Sequence, residues 1–145
     1  MHAFFDPKDG NPKVVIEISG TAPGSNKIIN ALLDTGHSGS LSLPVLDLIA
    51  IGAKLDSYGE VEYANGYTGV NYYFSVTVTI DGKTKEVQAS MIENPSSTEA
   101  IAGLELFTPY VSLIDFKNKG IVFIEEVEFR KITSKPKDTT TETKS

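Results

Sequence analysis

The sequence predicts a mostly-β fold, a small barrel or sandwich with one or two short helices. Three observations predict it: β-branched runs end at turn residues, apolar and polar positions alternate in the longest run, and two hairpin signals follow. Helix signals are scarce. The chain has 145 residues, 40% of them hydrophobic and 22% charged, which suits one domain with a modest core.

Val14-Val15-Ile16-Glu17-Ile18 is a β-branched run ended by Gly20. Lys27 to Leu33 reads as a second strand that stops at Asp34. From Tyr72 to Ile80, the residues Phe74, Val76, Val78 and Ile80 share one face, while Ser75, Thr77 and Thr79 share the other. That alternation marks a half-buried strand. Asp81-Gly82 supplies a two-residue hairpin turn, and Thr84 to Ile92 returns as the partner. A later hairpin pairs Val111–Phe116 with Ile121–Ile124 across Lys117-Asn118-Lys119-Gly120. Between them, Leu43 to Ile51 has Pro44 near a first turn and Gly52 as a stop, which predicts one short helix. Gly103 to Phe107 predicts a second, ended before Pro109. Ile124 to Ile132 reads as a further strand. Residues 1–12 read as a loop-like N-terminal arm, 13–132 as the domain, and 133–145 as a polar tail too poor in apolar groups to order itself.

The net charge is −6, and the body of the chain lacks the clustered Lys and Arg that bind phosphates, which argues against nucleic acid. No run approaches the roughly 20 apolar residues of a membrane helix, and no signal-peptide pattern opens the chain. Zero cysteines exclude disulfides, thiolate zinc sites and cysteine nucleophiles. Together these features fit a cytoplasmic protein. Two histidines, His2 and His37, give no metal-ligand cluster.

The chemistry sits in Leu32-Leu33-Asp34-Thr35-Gly36. A strand delivers the carboxylate to the surface, Gly36 permits a tight turn with close backbone approach, and the Thr35 hydroxyl can hydrogen-bond locally. As a bare tripeptide, Asp-Thr-Gly also marks ordinary turns. Asp34, His37 and Ser38 contain the residue types of a catalytic triad, but one short turn cannot hold triad geometry.

The longer stretch from Ala31 to Pro44, which reads ALLDTGHSGSLSLP, resembles the active-site segment of the single-domain, retropepsin-like aspartic peptidases. A second element, Ala100-Ile101-Ala102-Gly103-Leu104-Glu105-Leu106-Phe107, resembles that family's other hallmark: two apolar residues (Ile101, Ala102), then Gly103, then a short helix. It falls about 70 residues after Asp34. Between the two, Val61 to Val70 is similar to a flap hairpin. The resemblance spans roughly Lys13 to Glu125. It departs from the usual pattern at His37, where many members carry a small residue.

The resemblance implies a small closed barrel of the retropepsin type and an aspartic endopeptidase with Asp34 as the catalytic carboxylate. Only one Asp-Thr-Gly is present, so a homodimer would be needed, each copy presenting its Asp34. No cofactor or metal is implied. The substrate would be a peptide or protein bound as an added strand. Thr35 and Gly36 would form the active-site turn; Thr35 either spans the dimer contact or closes a local turn. His37, Tyr63, Asn65, Gly66 and Tyr67 would line the substrate site, with Tyr63 and Tyr67 equally suited to cross-strand packing and His37 to a pocket wall or the surface. Two other readings stand beside this one: a binding or regulatory domain that keeps the fold without turnover, and a structural β-domain in which Asp34 only ends a turn.

Overall fold

The computed structural model describes residues 2–21 and 24–134. Among the described residues, ten strands and three short helices follow one another. The first strand, β1 (Ala3–Phe5), pairs antiparallel with β2 (Pro12–Ser19), which pairs antiparallel with β3 (Lys27–Leu33). In β2, Val14, Ile16 and Ile18 alternate inward and are fully buried, as the period-two pattern requires.

Next come β4 (Leu41–Pro44), α1 (Val45–Ala50), β5 (Lys54–Glu62), β6 (Thr68–Ile80) and β7 (Lys83–Ile92). The two-residue β8 (Ile101–Ala102) leads into α2 (Leu104–Phe107). The hairpin β9 (Tyr110–Asp115) and β10 (Gly120–Glu125) forms a separate two-stranded sheet, and α3 (Glu126–Thr133) follows.

The main sheet runs β1-β2-β3-β8-β4-β7-β6-β5, with β2 also paired to β6, so the strands from β2 through β6 close into a ring. Inside it, Leu33, Leu41, Leu43, Val76, Val87, Ala89 and Ala102 join the β2 residues. Each fully buried Val, Leu or Ile contributes about 1.5–3 kcal/mol. Leu48 and Ile51 of the α1 region close one side, and Leu106 and Phe107 of α2 another.

The β6–β7 turn is formed by Asp81 (φ 52°) and Gly82 (φ 73°). Positive φ at both central residues is what a tight type I′ hairpin demands. The other expected hairpin is also present, its ladder running from Tyr110↔Glu125 to Asp115↔Gly120. The expected helix after Leu43 starts later, because Leu43 and Pro44 extend β4 and Pro44 caps the helix with ψ near 149°.

Two expectations differ from the structure. The N-terminal segment read as loop contains β1. Its Phe5 ring meets Phe116 edge-on, and Lys119 lies 5.2 Å from the Phe5 ring centre, which ties the strand to the β9–β10 hairpin. Ile124–Ile132 is not a strand beyond Glu125: from Glu126 it winds into α3, where Glu126 pairs with Arg130 and Glu128 with Lys131 at helical spacing. The polar tail lies almost wholly outside the described residues, although Thr133 ends α3. Among the described residues, no helix is long and apolar enough to cross a membrane.

Candidate functional site

β3 carries the chain out of the core. Ala31 and Leu33 are buried, and Asp34, half-buried, is the first residue past the strand. Here the backbone is held on both sides. The Asp34 N–H donates to Ala102 O at 3.0 Å, and the His37 N–H donates to Asp34 O at 3.2 Å. The Gly36 N–H donates to the Asp34 carboxylate at Oδ1, 2.8 Å away. One carboxylate oxygen is therefore fixed by its own turn. Thr35 and Gly36 are exposed.

The second motif is woven into the first. β8 lies parallel to β3, with Leu32↔Ile101 and Leu33↔Ala102, and antiparallel to β4, with Leu41↔Ala102 and Ser42↔Ile101. It thus runs between the strand that enters the Asp34 turn and the strand that leaves it. Past β8, the Gly103 N–H donates to Ser40 O at 2.9 Å and the Leu104 N–H to His37 O at 2.8 Å. The buried Ser40 hydroxyl donates to the Glu105 carboxylate at 2.6 Å. A Cβ on Gly103 would stand 2.1 Å from Gly39 O, 2.5 Å from His37 Cδ2 and 2.7 Å from His37 O. No side chain fits there, so glycine is required by space alone.

His37 is half-buried in this turn. Its Nε2 lies 3.2 Å from Ser42 Oγ, which lies 2.5 Å from Ser90 Oγ. Ser42 and Ser90 are register partners in the parallel β4–β7 ladder. The ring thus contacts β4 at Ser42 and reaches β7 through Ser90.

The flap-like residues lie elsewhere. β5 and β6 form a hairpin whose outer part, Thr68–Tyr72, pairs with β5 alone. At its tip the Tyr63 N–H donates to Tyr67 O and the Gly66 N–H to Tyr63 O, both at 2.8 Å. Gly66 has φ 81°, and the Asn65 side chain accepts from the Tyr67 N–H at 3.1 Å. Asn65 and Gly66 thus shape the turn itself. Tyr63 packs against Gly69, where a Cβ would meet its ring at 2.8 Å, and its hydroxyl donates to Glu93 at 3.1 Å. Cross-strand packing is the role its contacts describe. That hydrogen bond to Glu93 raises the Tyr63 pKa above the usual tyrosine value. Tyr67 is 73% exposed and free to meet a ligand. No hydrogen bond joins the hairpin tip to the Asp34 turn among the described residues.

Beside Thr35 opens an apolar cavity of about 310 Å³, lined by Leu33, Leu104, Phe107, Ile114 and Phe123 among others. Among the described residues, no group of three or more His, Cys, Asp or Glu residues could hold a metal ion. The supporting residues Ser40, Ser42, Ser90 and Glu105 were not singled out from sequence. For Ser40 and Ser42 the available signal was the serines at alternate positions, Ser38, Ser40 and Ser42.

The fold is retropepsin-like. A solved structure described as EIAV protease complexed with the inhibitor HBY-793 superposes with a TM-score of 0.50, over 70% of this chain and 89% of that one, at 15% identity. At that identity the similarity concerns the fold. No protein-family model matches the sequence, and no curated protein matches it.

Proposed function

We propose that the chain is an aspartic endopeptidase that works as a homodimer, each copy giving Asp34 to one catalytic pair. The observation that carries this reading is the interlocking of Asp34-Thr35-Gly36 with Ile101-Ala102-Gly103 through the Asp34–Ala102 and Leu104–His37 hydrogen bonds, within a retropepsin-like fold. The exposed Thr35 and the apolar cavity beside it offer a surface that a second copy could cover.

Two carboxylates about 4 Å apart repel by about 4 kcal/mol at an effective dielectric of about 20. At about 1.36 kcal/mol per unit, this separates their apparent pKa values by about three units. One proton is then shared at pH between the two apparent values, as aspartic proteases generally show. The ionised member takes a proton from water, and the protonated member polarises the scissile carbonyl and then helps protonate the leaving amine. The Gly36 N–H on Oδ1 holds the carboxylate in place while its other oxygen reaches the water. The β5–β6 hairpin would close over an extended peptide and exclude solvent, with Tyr67 the tip residue best exposed to touch it. A lone Asp34 in a monomer lacks the split and is expected to be nearly inert.

The decisive comparison is wild type against Asp34→Asn on a peptide library, with sedimentation of both. Wild type is expected to cleave, Asp34→Asn to lose cleavage, and both to dimerise. Equal cleavage by both would remove Asp34 from the chemistry. A strict monomer without cleavage would favour a binding domain that keeps the fold without turnover.

A further inference from the structure

We propose that His37 is a positioning residue for Asp34, its ring acting as a wedge that locks the Asp34 turn to the α2 loop and to strands β4 and β7. The proposal rests on the peptidase reading for its kinetic consequence, but the lock itself is independent of that reading.

Polar side chains in exposed turns ordinarily reach for water. This one turns inward and is held by a relay of two hydroxyls, His37 Nε2 to Ser42 Oγ at 3.2 Å and Ser42 Oγ to Ser90 Oγ at 2.5 Å. Ser42 is only 7% exposed, so without the ring its hydroxyl would keep Ser90 alone as a partner. The ring also occupies the space over two glycines. A Cβ on Gly103 would come 2.5 Å from its Cδ2, and one on Gly39 would come 3.3 Å from its Nε2. The main chain of the same residue completes the joint, since its N–H donates to Asp34 O and its carbonyl accepts from Leu104 N–H. One residue thus touches the candidate catalytic turn, the loop behind it and β4, and reaches β7 through Ser42.

The usual small residue at this position could make the main-chain bonds but not the relay or the wedge. Removing the ring leaves a void at the joint and a Ser42 hydroxyl with one partner fewer, and the turn gains freedom to rotate. The carboxylate is fixed through its own turn by the Gly36 N–H, so rotation of the turn moves it. A displacement of about 1 Å at a reacting group costs about 100-fold in rate.

The test combines amide hydrogen exchange with peptide kinetics on the full chain. In His37→Ala, exchange at Leu104 and Gly103 is expected to quicken about tenfold or more, as a lost hydrogen bond and a new void together imply, and by more than at Ile16 and Val76 in the core, which report the change in global stability. His37→Gln, whose amide can reach Ser42, is expected to recover most of the protection. With peptide, kcat is expected to fall about 10- to 100-fold in His37→Ala and KM to stay within about twofold. Unchanged exchange at both amides in folded His37→Ala overturns the proposal, as does a rise in KM at constant kcat, which would return the ring to substrate contact. If His37→Ala does not fold, Ser90→Ala removes only the far hydroxyl, and Leu104 exchange is expected to quicken by the few-fold one hydrogen bond is worth; no change there also overturns it. A wild type that cleaves nothing refutes the peptidase reading, and the exchange arm still decides the lock.

Discussion

Replacing Gly103 with Ala adds one methyl group at the joint between the two motifs, and the structure fixes what it meets. The new carbon would stand 2.1 Å from Gly39 O and 2.7 Å from His37 O, both main-chain atoms, and 2.5 Å from His37 Cδ2. Carbonyl oxygens cannot swing aside as a side-chain tip can. Gly103 has φ −102° and ψ 179°, a conformation open to any residue, so the penalty is steric and not conformational. Overpacking of this kind costs about 1–3 kcal/mol, and the immobile neighbours put this case at the upper end. Gly→Ala also restricts the unfolded chain, which offsets about 0.4–1 kcal/mol. A net loss of about 2 kcal/mol is expected. For a chain of this length each kcal/mol lowers Tm by about 3 °C, so Tm should fall by about 6 °C in a calorimetric or circular-dichroism melt. Gly120→Ala is the internal control, because nothing lies within 4 Å of its added carbon; its Tm should hold or rise slightly. Equal Tm values for wild type, Gly103→Ala and Gly120→Ala would refute the claim that the joint is filled.

Two further predictions concern the hairpins. The Asp115 carboxylate accepts hydrogen bonds from the Asn118 N–H and side chain and from the Lys117 N–H, and the Asn118 bonds are the main cause of its lowered pKa. A lowered folded-state pKa means stability that is present above the ordinary carboxylate range and lost as pH falls through the folded value. Asn118→Ala keeps the backbone N–H, the larger cause, and deletes the side-chain bond, so the Asp115 pKa, followed by NMR titration, should move only part of the way back toward the 3.8 of an unperturbed side chain; an unmoved titration would show that the side-chain bond does not contribute. Tyr63→Phe removes the bond to Glu93 while keeping the ring on Gly69. Exchange at Gly66 and Tyr67 should quicken several-fold, and Tyr63 in Glu93→Gln should titrate nearer its ordinary value in an absorbance titration; no change in either measurement would mean that Glu93 does not hold the hairpin tip.

Much of this fold was readable because its information is local. Val14 to Ile18 alternates cleanly, Lys27 to Leu33 stops at the residue where β3 stops, and Asp81-Gly82 can hardly be anything except a tight turn. Ile124 to Ile132 misled because Val127, Phe129 and the glutamates alternate like a strand. What decides the matter is that among the described residues no neighbouring strand takes up the chain past Glu125, and the Glu126–Arg130 and Glu128–Lys131 pairs favour the helix. β1 was missed because three residues carry almost no pattern, and its order comes from β2 and from Phe116, far along the chain. At the candidate site, Asp34 and Gly103 were singled out through the resemblance carried by their two motifs. The direction of the His37 ring was not legible there, since it depends on Ser90, which reaches Ser42 only after the β6–β7 hairpin has folded back.

The helical end of the domain bears on how two copies would stay together. α3 satisfies its own amides and carbonyls along its length, so residues 126–133 present no open ladder onto which a neighbour could add. A contact through this helical segment is left to side chains, a smaller hold than interleaved backbones would give. On the proposed dimeric reading, a joint resting on such contacts would part on dilution, and cleavage per molecule would climb with the amount of protein present.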